Sequence, residues 1–197
     1  EQYVTSGVAA VLSATGPILI LVIQHVILKQ KGSMVSFFGC FVGMLGVLLL
    51  LIPSLSFKGS SFLLYGSLAI LMGEVFYAAG TIYTKQVMNR FQTTSPIVLN
   101  AVQMMHGGLL LIVLSIFTER GHFHYHVSFA SMGSILYLVV FGSMIGHSLF
   151  YWLVVRTNPV FPSTWLFVSP IIALVFGAIF YHESITWVTL VGAVTIL

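Results

Sequence analysis

Chemistry in this chain has to come from very few groups. Among 197 residues only four are acidic (Glu1, Glu74, Glu119 and Glu183), and there is no Asp. Glu74 stands near the middle of the apolar run Ser61–Thr84. Such a run is long enough to cross a bilayer core of roughly 30 Å at about 1.5 Å per helical residue. A carboxylate at that depth costs about 2.5–3.5 kcal/mol on insertion scales, so it should face protein or water rather than lipid. At about 100° per residue, Glu74, Tyr77, Thr81 and Lys85 share one helix face. The stripe fits two roles: the wall of a polar cavity, or hydrogen bonding between helices for packing alone. A second apolar run gathers Asn100, Gln103, His106 and Gly107 on one face, and a third places Ser143, His147 and Tyr151 at i, i+4 and i+8. A carboxylate so placed can hold an amine or take up a coupling proton, while amides, imidazoles and phenols offer hydrogen bonds to a solute. The simplest arrangement turns all three stripes toward one polar path; the alternative is that each polar group satisfies a neighbour.

Other chemistry finds little support. His122, His124 and His126 form H-x-H-x-H, which an extended segment would present on one side. Glu119 is the one further ligand nearby, and the preferred reading is an interfacial loop that binds no metal. Nucleophile–base pairs, the H-E-x-x-H motif and phosphate loops are absent. Without Asp, the paired carboxylates with which membrane enzymes hold Mg²⁺–diphosphate are missing too. The expectation is a protein with no catalytic residues and no cofactor. Cys40 is the sole cysteine, so no intrachain disulfide can form.

The elements that must position these groups are membrane spans. The chain is 58% hydrophobic and 6% charged, against roughly 25% charged in soluble domains, and its mean hydropathy is +1.07. Apolar runs predict seven spans at 6–28, 34–53, 61–84, 96–117, 132–155, 159–181 and 185–197, the last too short to cross alone. All seven Lys and Arg fall at or near span ends, so the net charge of +3 needs no nucleic acid. Lys29, Lys31, Lys85, Arg90 and Arg156 lie on one side and Lys58 and Arg120 on the other. The positive-inside rule puts the larger group in the cytoplasm. The chain does not begin with Met and ends in an apolar run, so it reads as a piece of a longer protein.

An internal repeat is visible. A shift of 153 residues carries Pro17 onto Pro170, Ile18 onto Ile171, Leu21 onto Leu174, Val22 onto Val175, Val35 onto Val188 and Gly39 onto Gly192. The two matched spans are five apart, so they run in opposite directions, as in the inverted repeats of secondary transporters. A five-span unit makes 1–53 the last two spans of one copy, 54–60 a linker and 61–197 the second copy, its last span truncated. The intact protein would then have ten spans. Pro17 and Pro170 should kink their helices, either for shape alone or to expose carbonyls and let halves rock. Gly39, Gly43, Gly46, Gly142 and Gly146 are spaced for close helix packing.

These pieces together resemble the EamA family of the drug/metabolite transporter superfamily. The matching segments are Tyr3-Val-Thr-Ser-Gly-Val-Ala-Ala10 entering a span with Pro17, and Gly39-x-x-x-Gly43-x-x-Gly46-Val47. In the second copy they are Gly142-x-x-x-Gly146, Leu149-Phe-Tyr151, Ser169-Pro170, Glu183 and Gly192. Lys29-Gln30 departs from the Gly-Glu usual at that place in the family, Tyr77 stands where Trp is frequent, and Glu74 is not a family feature. The resemblance implies an all-α polytopic transmembrane bundle, an inverted-repeat exporter or permease of small organic metabolites such as amino acids or drugs. It also implies a bacterial inner membrane. The substrate-path candidates, from this sequence alone, are Glu74, Tyr77, Thr81, Asn100, Gln103, His106, His147 and Tyr151. The competing readings are a membrane-embedded enzyme and a non-transporting membrane subunit or sensor.

Overall fold

A computed structural model describes residues 4, 6–29, 33–52, 61–91, 95–118, 128–181 and 186–196. Among them there are helices and no strand. Bilayer hydrocarbon offers the backbone no partners, so a spanning segment must close its hydrogen bonds within itself. Among the described residues, six segments are long and apolar enough to cross: Val8–Val26, Met34–Leu51, Leu64–Arg90, Pro96–Thr118, Phe129–Arg156 and Val160–Phe180. The seventh, Trp187–Ile196, is apolar but shorter. The chain is thus the polytopic helical bundle that its apolar runs predict.

Three of the spans are not simple α-helices. The first is split into α1 (Ser6–Ser13) and α2 (Gly16–Val26). At the split, the Thr15 amide and hydroxyl both donate to the Leu12 carbonyl, at 3.1 and 2.6 Å. Pro17 sits in the first turn of α2, where a missing N–H is tolerated, and it offers no donor to the Ser13 carbonyl one turn back. The kink expected from Pro17 is therefore a full break, placed just before the proline. After α3 (Met34–Leu51), α4 (Ser61–Arg90) and α5 (Pro96–Thr118), the fifth span comprises α6 (Phe129–Tyr137), a π-helical segment (Leu138–Gly146) and α7 (His147–Arg156). The sixth comprises α8 (Val160–Ser163) and α9 (Trp165–Tyr181), with Pro170 inside α9. The chain closes with α10 (Trp187–Ile196).

The chain divides into two compact units, 1–83 with 159–197 and 84–158. In the first, α3 packs along α10 and also meets α1, α2 and α9. Ala14, Leu21, Cys40, Val47 and Phe167 form its core. A Cβ on Gly46 would come within 2.9 Å of the Gly192 carbonyl, and one on Gly192 within 2.8 Å of the Gly46 carbonyl, so both glycines allow the crossing of α3 and α10. Gly43 likewise makes room for the Phe167 ring, 2.7 Å from where its Cβ would stand. In the second unit, α5 packs against α7. Here Lys85 Nζ donates to the carbonyls of Val155 and Thr157 at the C-terminal end of α7, where a cation suits both the open carbonyls and the helix dipole. Long exposed apolar stretches, such as Leu109–Leu114 on α5, suit a lipid surround.

Candidate functional site

The first polar cluster lies in the first unit, where α4 meets the break between α1 and α2. The Ser13 hydroxyl is hydrogen-bonded to the Glu74 carboxylate. The other carboxylate oxygen, Oε2, is buried with no hydrogen-bond partner. It lies against Gly16. A Cβ there would stand 2.8 Å from Oε2, 2.9 Å from Leu166 Cδ1 and 3.7 Å from Tyr77 Cδ1. Only a glycine lets the carboxylate approach the start of α2 so closely, and the positive end of that helix favours a negative group. Tyr77 is half-buried, one turn along α4. Thr81 is 2% exposed, and its hydroxyl turns back to the Tyr77 carbonyl at 2.8 Å.

The second cluster lies in the second unit and joins α4, α5 and α7. Asn100 Nδ2 donates to the Ser143 carbonyl at 3.3 Å and to Ser148 Oγ at 3.2 Å. Gln103 Nε2 donates to Thr84 Oγ1 at 3.2 Å, and the Thr84 hydroxyl is also hydrogen-bonded to that of Tyr151. Thr84 is completely buried. Gln103 and Tyr151 therefore meet at Thr84, and Asn100, one turn earlier on α5, makes its own bonds to the fifth span within the same cluster.

His106 and His147 are not drawn into it. Each is exposed, and each ring bonds a carbonyl of its own span: His106 Nδ1 to Val102 at 2.7 Å, His147 Nδ1 to Gly142 at 3.1 Å. A regular α-helix would put residue 147, four after Ser143, on the Ser143 face. The π segment has an i→i+5 period, which brings Ser148 there instead. At Gly39 and Gly142 the expected close packing is not seen: a Cβ would meet nothing within 4 Å. At Gly146 it would meet only its own span's Phe141 carbonyl, at 3.1 Å. His122, His124, His126 and Glu119 lie outside the described residues, and among those described no cluster could hold a metal.

Ser13, Gly16, Thr84 and Ser148 are the members that sequence reasoning missed. The Thr84 position was within reach, since it precedes Lys85 on the span carrying Glu74. Ser13 and Gly16 gave no signal, because spacing within one helix says nothing of what a second helix brings to it.

A chain whose described residues form helices and no strand, with six segments fit to cross a bilayer and with carboxyl, amide and hydroxyl groups buried along them, is an integral multi-pass membrane protein. Its sequence matches the model of the EamA-like transporter family over residues 64–197. The chain belongs to that family. It is 25% identical to a WAT1-related protein of Arabidopsis thaliana, named as chloroplastic, across 100% of this chain and 48% of the relative. It is 25% identical to an uncharacterized transporter of Archaeoglobus fulgidus across 100% of the chain and 67% of the relative. To the uncharacterized inner membrane transporter YedA of Escherichia coli it is 25% identical across 90% of the chain and 55% of the relative. The chain thus spans about half to two-thirds of the length of these curated relatives.

Proposed function

We propose that the full-length protein is an exporter of small organic metabolites, such as amino acids or drugs, working by alternating access between two inverted repeats. The observation that carries this reading is Glu74: a mid-span carboxylate held by one hydroxyl, with its second oxygen buried and unpartnered beside a broken helix. Intramembrane ionisable groups are costly and mark substrate or ion pathways, and broken helices are where such transporters build their sites. Glu74, with Tyr77 and Thr81, contributes one part of the solute path and binds an amine or a coupling proton. Asn100, Gln103 and Tyr151 contribute a second. The reading does not depend on His106 and His147. Family membership supports transport over the enzyme and subunit readings; YedA's name, an inner membrane transporter, supports a cell membrane, while the Arabidopsis relative is named as chloroplastic. We place the protein in a bacterial cytoplasmic membrane, with residues 1–53 and 61–197 as parts of successive repeats.

The test uses the full-length protein in liposomes loaded with a metabolite extract, with efflux followed by mass spectrometry. The expected result is protein-dependent loss of one chemical class, reduced at least about tenfold by Glu74→Gln, the scale of a lost charge-assisted contact. Equal efflux by both proteins would remove Glu74 from the path. No efflux from folded wild-type protein would overturn the transporter reading.

A further inference from the structure

We infer that Asn100 and Gln103 form a subsite that takes up the hydrogen-bond donor of a neutral solute group, an amide or a hydroxyl, and turns away carboxylates and phosphates. The inference rests on the transporter reading and adds the polarity of the group recognised.

The argument begins with which way the two amides point. A backbone carbonyl can only accept, so the Asn100 atom bonded to the Ser143 carbonyl must be the nitrogen. Its two hydrogens go to Ser143 and Ser148. Thr84 has one hydroxyl hydrogen and lies between Gln103 and Tyr151. Gln103 Nε2 donates to the Thr84 hydroxyl oxygen at 3.2 Å, so its nitrogen too is turned to the protein. Both amides thus donate to the protein and keep their oxygens free. Asn100 Oδ1 and Gln103 Oε1 are buried, and neither has a hydrogen-bond partner. Asn100 as a whole is 3% exposed.

A buried acceptor left unmatched carries its desolvation penalty uncompensated. Here there are two, one turn apart on the same face of α5. A site with its donors committed and its acceptors open has a definite preference: it completes itself with an N–H or O–H from outside. The two oxygens carry partial negative charge and repel carboxylates and phosphates. They are also neutral groups, and the described residues of 84–158 include no Asp or Glu to balance a cation. A neutral donor is the remaining match.

The test is saturation-transfer NMR on the full-length protein in detergent micelles at neutral pH. The probes are three shape-matched pairs: acetamide and acetate, benzamide and benzoate, nicotinamide and nicotinate. In at least one pair the amide should bind about fivefold more strongly than the carboxylate, the scale of one hydrogen bond. Asn100→Leu should abolish that preference. Because this change also removes the bonds to Ser143 and Ser148, Gln103→Met, which breaks only the bond to Thr84, serves as the second variant and should reduce the preference in a protein of unchanged thermal midpoint. Preferred binding of any carboxylate, an amide preference unchanged in folded variants, or no binding by any probe would each overturn the inference, the last by showing that the two oxygens are closed to solutes. Metabolite efflux from liposomes, measured alongside, keeps the two readings apart. Efflux without an amide preference sinks only the subsite, and absence of efflux sinks the transporter reading whatever the probes do.

Discussion

The first and sixth spans carry prolines that a shift of 153 residues superposes, Pro17 and Pro170, yet they treat them differently. Pro17 opens α2 after a break, whereas Pro170 sits inside an unbroken α9. The proline alone therefore does not decide where the chain opens. What the two spans share is a threonine. In the first, Thr15 sends its amide and hydroxyl to the Leu12 carbonyl; in the sixth, Thr164 sends both to the Phe161 carbonyl, at 3.3 and 2.7 Å. Each bond pair closes a tight i−3 turn in place of the α-helical i−4 bond, a known way for threonine to bend a membrane helix. The threonines are not related by the repeat: a shift of 153 residues carries Thr15 onto Val168. The break in the first span falls where Glu74 can reach Gly16, and the break in the sixth falls near its start, between α8 and α9. The same local device thus stands at different places in the two spans, and only at Gly16 is an ionisable group brought to the opening.

That comparison can be broken most forcefully at Gly16. Gly16→Val should lower the stability of the full-length protein by about 1–3 kcal/mol, the usual cost of overpacking, read as a fall in the thermal unfolding midpoint in micelles. An unchanged midpoint would mean that the carboxylate is not held against the break. Next come the threonines. Thr15→Val and Thr164→Val should each cost about 1 kcal/mol, the net worth of one hydrogen bond. Similar losses would establish one device used twice, and a loss at one site alone would show that the turns are held by different forces. The smallest effect concerns the end of the first span. Lys29 has φ of 52°, in the left-handed region that suits glycine. Lys29→Gly should therefore stabilise by about 1 kcal/mol; a lower midpoint would mean that the lysine side chain contributes more than its backbone costs.

Much of the fold was legible because a bilayer imposes simple rules. Apolar length marked the spans, and the rarity of charge singled out Glu74. The details of the clusters were less legible. Periodicity at 3.6 residues assumes a regular helix, and it fails where the helix is not regular. It placed His147 on the face that Ser148 occupies, because nothing in Leu138–Gly146 announces a π turn. It could not find the break at Thr15, since threonine is common in unbroken spans and the proline drew attention two residues away. Glycine spacing was informative only in part. Gly43 and Gly46 face Phe167 and α10, while Gly39, in the same pattern, faces open space. The spacing says which residues are small, and the partner helix decides which of them are approached.

The π segment also bears on length. A helix that passes from α to π and back carries an extra residue between two fixed ends. In the fifth span that surplus lies between Ser143, whose carbonyl meets Asn100, and Ser148, whose hydroxyl meets the same side chain. Removing one residue from Met144–Gly146 would let the segment relax to an α-helix, with Ser148 four positions after Ser143 rather than five. Both groups would still face Asn100, and α7 would keep its register. Span five is therefore built to survive a single-residue deletion there, a change that would rotate everything beyond it by about 100° in a regular helix.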